Sequence, residues 1–582
     1  MRSLLSSAFI LLTGLLSASA QQPVPVFSQI VVFGDSLSDT GNVRNRTNER
    51  SSGLVDFPSE TFNYSDGRWT NSSDTEPASN NFIGVWHEQL ARTFLTMPAA
   101  TFSLNGGVNY AFGGATTNNG THEEVAVSPP FFGDVDITID DMGKQMEDYL
   151  TFHTVDPNAL YIVWGGGNDL FNDDSAENVT ATAMRASALM SRLAIGGAQY
   201  IMVPNVPPLG DIPRYATDPA HLISLNAAAV NYRNELNANL TASLAALAAQ
   251  GLTPTVYRVD AWMNTVRVMT YPERYNFTNV RDASQGNASV SPDNFLFWDD
   301  KHPTTAGHYW TAKGAYDTLT IPFTPPGKAI NIATRLFVDT GERVPIVGFI
   351  ITGDVSKKVL LRGIGPSLAA NGVSTPLADP TLTLVDAAGV ELRVNNNWRD
   401  SQADEIIATG IPPHNDLESA IVITLAPGSY TAILSGQGGT TGNGLVELYD
   451  LEPNANSTLA NLSTRGFVGT GDDVMIAGLI IGNGDLPIVV VRALGPTLAD
   501  AGVANPLLDP MIELHDGDGA LIGSNDNWKD GQVQPLFATQ LNPFSDSESA
   551  VVAFLAPGNY TAIVRGKDNT TGVALVEAYR IP

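Results

Sequence analysis

Cysteine is absent from the chain. No disulfide can form, and thiol nucleophiles and thiolate metal sites are excluded. Positive charge is scarce: 31 Lys and Arg face 60 Asp and Glu, a formal net charge of -29. Nucleic acid calls for a basic footprint, so it is excluded as a partner. The acidic surplus suits a soluble protein that resists aggregation. Long apolar runs are missing as well. Residues 4–16 form an apolar stretch too short to span a bilayer, and no later stretch approaches it. Arg2 precedes that stretch and Ala18-Ser19-Ala20 follows it, the pattern of an export signal cleaved after Ala20. A secreted, extracellular protein without an integral membrane anchor is expected. A phosphate-binding loop is also lacking, because no Lys-Ser/Thr pair follows Gly165-Gly166-Gly167 at the required spacing.

With 582 residues the chain is too long for one ordinary domain. Residues 30–33, 160–164 and 200–203 read as short apolar strands. Between strands lie helical patterns, the clearest over residues 221–250, with Leu222, Leu225, Leu236, Leu240, Leu244 and Leu247 on one face and Gly251 as a cap. Strands alternating with helices predict a parallel sheet covered on both faces, with ligands bound beyond the carboxyl ends of its strands. Residues 321–327 form a proline-rich break. Beyond it the chain repeats itself at a constant offset: Asn331 matches Asn461, 130 positions on, as Gly365-Pro366 matches Gly495-Pro496, Asn397-Trp398 matches Asn527-Trp528, and Glu418-Ser419-Ala420 matches Glu548-Ser549-Ala550. Alternating apolar residues and Gly- and Pro-rich turns make each copy an all-β sandwich, and two large copies suggest tandem beads. The expected order is a signal peptide over 1–20, an α/β domain over 21–320, a linker over 321–330, a first repeat over 331–452, a short linker over 453–460 and a second repeat over 461–582. Asp516 and Asp518 suggest a calcium loop, but copy one has only Asp386, with Ala388 in place of the second acid, so a shared metal site is not expected. Trp398 and Trp528, at matching positions, read as core residues.

Four blocks in the first half carry chemistry: Gly34-Asp35-Ser36-Leu37, residues 109–114 (NYAFGG), Gly166-Gly167-Asn168-Asp169, and Asp299-Asp300-Lys301-His302. A serine hydroxyl attacks only when a base takes its proton. Ser36 follows a strand, where a tight turn exposes its hydroxyl. His302 is the candidate base, and Asp299, three residues earlier, is placed to orient the imidazole and stabilise its charged form. Pro303-Thr304 should begin a helix that fixes the turn. His308 is a rival base without a carboxylate three residues before it. Asp35, Asp39 and Asp169 are expected to brace loops, and Arg68, Trp69 and Trp298 to line the cleft.

The four blocks in this order resemble those of the GDSL lipolytic family, the SGNH hydrolases. The resemblance implies a three-layer α/β/α flavodoxin-like domain and a metal-independent serine esterase or lipase that needs no cofactor. It also implies an oxyanion hole built from the backbone N–H of Ser36, the backbone N–H of Gly114 (with Gly113 as the alternative) and the side-chain amide of Asn168. Activity should fall as His302 protonates in acid. The implied partner is an ester of a lipid, an aryl alcohol or an acetylated carbohydrate. A carbohydrate acetylesterase, or a surface-binding protein with a vestigial hydrolase domain, is the alternative. The repeats are the candidate anchor to a polymer or cell surface.

Overall fold

The structure, a computed structural model, describes residues 23–71, 82–128, 133–321 and 327–581. The expected signal peptide and most of the proline-rich linker lie outside the described residues. The chain divides into two compact units, 23–321 and 327–581.

The first unit runs β1 (Ile30–Gly34), α1 (Asn42–Arg50), α2 (Trp86–Gln89), β2 (Thr121–Val127), β3 (Val135–Asp140), α3 (Met142–Phe152), β4 (Leu160–Trp164), α4 (Gly167–Asn172), α5 (Ala176–Gly196), β5 (Tyr200–Pro204), α6 (Pro219–Ala248), β6 (Thr255–Val259), α7 (Ala261–Thr270), β7 (Asn279–Ala283), β8 (Phe295–Phe297) and α8 (Thr305–Thr320). β1, β4, β5 and β6 pair side by side in parallel. On the free side of β1, Val32 N–H donates to the Val108 carbonyl at 3.1 Å, and Tyr110 N–H donates to the Val32 carbonyl at 2.8 Å. Residues 108–110 thus act as a vestigial fifth strand, joined by a parallel bridge between Val32 and Asn109. Counted in chain order, the sheet reads 2-1-3-4-5, the flavodoxin-like order, whose direction switches between β1 and β4.

Side chains alternate across this sheet. Ile30, Val32, Leu160 and Ile162 pack with Trp86 and Leu90 on one face, where Ala312, Ala315 and Leu319 of α8 join them. On the other face Phe33 meets Tyr149 of α3, ring centroids 5.6 Å apart, and the Tyr149 and Tyr161 hydroxyls lie 2.9 Å apart. Helices therefore cover both faces. The helix expected over residues 221–250 is α6. It starts two residues earlier because Pro219 suits a first turn and the Asp218 side chain caps it by accepting from His221 N–H.

The second unit holds sixteen strands. Copy one supplies β9 (Ala329–Val338), β10 (Ile346–Gly353), β11 (Lys357–Ile364), β12 (Pro380–Asp386), β13 (Glu391–Asn395), β14 (Ser419–Leu425), β15 (Gly428–Gly436) and β16 (Gly442–Asp450). Copy two supplies β17 (Ser457–Val468), β18 (Met475–Ile481), β19 (Ile488–Leu494), β20 (Pro510–Asp516), β21 (Leu521–Asn525), β22 (Ser549–Phe554), β23 (Gly558–Gly566) and β24 (Gly572–Ile581). The strands form two runs, β14-β11-β16-β9-β18-β23-β20-β21 and β13-β12-β15-β10-β17-β24-β19-β22. Each run crosses from one copy to the other, through β9–β18 and β10–β17. The two runs share one hydrophobic core, with Val347, Phe349, Leu382 and Leu434 from one and Ile332, Leu361, Val446 and Leu448 from the other. At the centre the Thr334 and Thr464 hydroxyls, at matching positions of the repeat, lie 2.8 Å apart. The copies are therefore not separate beads. Only residues 451–456 separate β16 from β17, and each copy offers a strand edge that the other covers. Trp398 and Trp528 are buried, as their matching positions suggested. No helix among the described residues is long and apolar enough to cross a membrane.

Candidate active site

Gly34 ends β1 where the backbone of β4 passes close: a Cβ there would lie 2.5 Å from the Trp164 carbonyl oxygen. The chain then turns sharply. The Asp35 carbonyl accepts from the N–H groups of Ser38 and Asp39, and the Asp35 carboxylate accepts from Leu37 N–H at 3.0 Å. Burial pushes the Asp35 carboxyl up to about 6 against that hydrogen bond. Asp39 is fully buried and accepts from the N–H groups of Gly41, Asn42 and Val43 at the start of α1, and from Gly113 N–H at 3.0 Å. Its carboxyl is also raised to about 6 by burial, opposed by those four donors. Asn109 completes the tie, its amide donating to the Ser38 carbonyl and the Thr40 hydroxyl. The turn that carries Ser36 and the Gly113-Gly114 block are thus one hydrogen-bonded assembly.

The fourth block lies between β8 and α8. Trp298 N–H donates to the His302 carbonyl at 2.8 Å, closing a tight loop. Inside it, Asp299 Oδ1 accepts from Lys301 N–H at 2.7 Å and His302 N–H at 2.6 Å. Asp299 Oδ2 lies 2.7 Å from His302 Nδ1 and accepts from the Tyr64 hydroxyl at 2.8 Å. Burial alone would raise the Asp299 carboxyl, but the facing His302 and the backbone donors outweigh it and hold it well below the usual carboxylate range. A carboxylate at Nδ1 fixes the proton there, which leaves the Nε2 lone pair facing Ser36 Oγ at 2.8 Å. The Trp69 ring lies against the imidazole, centroids 5.1 Å apart. α8 begins at Thr305, two residues after Pro303, because Thr304 is its cap, accepting from Gly307 N–H at 3.1 Å.

Ser36, Gly114, Asn168 and His302 line a single cavity of about 350 Å³. It opens beyond the carboxyl ends of β1 and β4, the switch point of the sheet. Gly113 spends its N–H on Asp39, whereas neither Gly114 N–H nor Ser36 N–H meets an acceptor among the described residues. Gly114 sits at φ +84°, a left-handed backbone conformation that favours glycine and that a side chain would strain. One amide hydrogen of Asn168 goes to the Ala115 carbonyl at 3.0 Å, which aims the group and leaves the second hydrogen to donate. Such an arrangement can deprotonate an attacking hydroxyl and receive a developing oxyanion.

Other expectations fared differently. Asp169 braces as foreseen, accepting from Thr117 N–H and from Arg185. Trp69 lines the cavity, but Arg68 does not: its guanidinium grips buried Glu88 in two hydrogen bonds of 2.7 and 2.8 Å. Trp298 is buried among Phe57, Tyr64 and Phe112. His308 is buried and its Nδ1 accepts from Trp86 N–H, far from the role of rival base. Sequence reasoning missed Tyr64, which lies 235 residues from Asp299 and carries no local signal. It also missed the apolar walls Phe171, Val206, Leu209 and Ile212.

Residues 30–315 match the family model described as GDSL-like Lipase/Acylhydrolase. GDSL esterase/lipase 6 of Arabidopsis thaliana is 26% identical over 341 residues, spanning 52% of this chain and 88% of that protein. The phosphatidylcholine-sterol acyltransferase of Aeromonas hydrophila is 26% identical over 286 residues, 48% of this chain and 73% of the relative. Among solved structures, a member of the lipolytic protein G-D-S-L family from Veillonella parvula aligns at 12% identity and a TM-score of 0.25, over 50% of this chain and 96% of that one. Residues 30–315 of this chain are therefore a GDSL-like lipase/acylhydrolase domain, and its class of chemistry is carboxylic ester hydrolysis.

Proposed function

We propose that the protein is an exported serine esterase that forms an acyl-enzyme on Ser36. The observation that carries this reading is the hydrogen-bonded chain of Ser36 Oγ, His302 and Asp299, with contacts of 2.8 and 2.7 Å, at the wall of a cavity. His302 takes the hydroxyl proton as Ser36 attacks the ester carbonyl, then gives it to the departing alcohol. Asp299 stays ionised throughout and stabilises the imidazolium. Gly114 N–H, Ser36 N–H and the Asn168 amide receive the oxyanion. Water then repeats the sequence and frees the acid.

The walls favour an acyl chain longer than acetyl. Leu37, Phe171, Val206, Leu209 and Ile212 give the cavity an apolar flank beside Ser36 that an acetyl group leaves unfilled. Hydrolysis of nitrophenyl esters from acetyl to long acyl chains, by the native protein and by Ser36→Ala, tests the proposal. The expected outcome is a rate optimum beyond acetate and loss of nearly all turnover in the variant. Full turnover by Ser36→Ala would remove Ser36 from the mechanism, and a preference for acetate would favour the carbohydrate acetylesterase reading.

A further inference from the structure

Lys301 is adjacent to His302 and lines the same cavity. Its backbone is pinned by the bond to Asp299 Oδ1. Its ammonium lies 5.0 Å from the centroid of the Phe171 ring, itself a cavity wall. Among the described residues no carboxylate oxygen comes within 4.0 Å of it. The acids that face it are engaged elsewhere or stand off. Asp299 serves His302 and Tyr64. Asp300 is held by Arg214 Nε at 2.7 Å. Glu124 lies on the cavity wall, half exposed, beyond ion-pair distance. In a chain with 60 acids against 31 Lys and Arg, an ammonium left without a carboxylate beside a nucleophile is set apart from its surroundings. Burial lowers its proton affinity, as does the nearby Arg214.

We infer that Lys301 is a specificity-determining residue: its ammonium binds an oxyanion group, a phosphate or carboxylate, carried on the alcohol side of the ester, while the apolar walls take the acyl chain. The inference rests on the serine-esterase reading above. It is tested with the full chain on two esters of one acyl chain, a monoacylglycerol and the corresponding acylglycerol phosphate. The native protein should prefer the phosphate ester roughly tenfold in kcat/KM, the worth of one charge-assisted contact. Lys301→Gln should erase that preference through KM for the phosphate ester, Lys301→Arg should keep it, and rising salt should weaken it. Equal rates on the two esters by the native protein, or a loss in Lys301→Gln that is the same for both, would overturn the inference and leave the esterase reading standing. Inorganic phosphate alone serves as a competitor: Lys301-dependent inhibition without an ester preference would overturn the substrate assignment in favour of a free-anion site. No hydrolysis of either ester or of nitrophenyl esters would overturn both readings.

Discussion

Glu88 shows how far the site depends on residues that touch no substrate. Its carboxylate is buried and holds Arg68 in two hydrogen bonds, one residue before Trp69, the ring that lies against His302. Burial would raise the Glu88 carboxyl, but Arg68 outweighs it and brings it down to about 2, against an ordinary value of 4.5. A lowered carboxyl stabilises the folded state above its unfolded value. That contribution, about 3 kcal/mol, is lost as pH falls from 4.5 through 2. Glu88→Gln should therefore lower stability near neutral pH by about 3 kcal/mol, because half-buried Arg68 loses its ionic partner. The difference from the native protein should shrink as pH falls through that window. Denaturant unfolding at a series of pH values checks it, and a constant difference down to the acid limit would contradict the assignment.

At the scale of elements, the site depends on which backbone donors each loop has already spent. The turn after β1 and the block beside it share Asp39, which consumes Gly113 N–H, while Gly114 N–H meets no acceptor among the described residues. The loop after β4 presents Asn168 with one amide hydrogen free. Asn168→Ala should lower kcat by about 100- to 1000-fold with KM little changed, the usual cost of one oxyanion donor. A change in KM alone would place Asn168 in ground-state binding instead. These elements also mark what was legible in the sequence. β1, β4 and the Asp299…His302 contact, three residues apart, were readable because strand ends and short spacings are local patterns. That Gly113 has spent its N–H was not, since it goes to Asp39, 74 residues away. Tyr64 and the cavity walls come from segments that only the folded chain brings together. Arg68 and Trp298 were assigned to the cleft on side-chain type alone, and packing against Glu88 and Phe57 drew them away from it.

At the scale of the whole molecule, the repeat was legible as an offset of matching residues, but its consequence was not. Matching sequence says that two copies share a fold; it does not say which copy's edge each strand will find. Here β17 pairs with β10 of the first copy, and β18 pairs with β9. Removing copy one strips both of those partners and exposes apolar residues of the shared core. An isolated piece covering residues 457–582 should therefore restore the missing pairs with a second molecule of itself and run as a dimer, which light scattering after size exclusion checks. A stable folded monomer would contradict the exchanged pairing. The intact second unit should unfold in one transition, since its core is continuous.

Ser36 as the proposed nucleophile of this domain is open to direct chemical test. The most direct measurement is labelling of the native protein with a serine-reactive fluorophosphonate, followed by peptide mapping and assay of the labelled sample. One adduct is expected, on Ser36, with activity lost in step with labelling, and slow or absent labelling in His302→Ala. Full activity after complete labelling, or an adduct on a different serine that tracks the loss of activity, would contradict it.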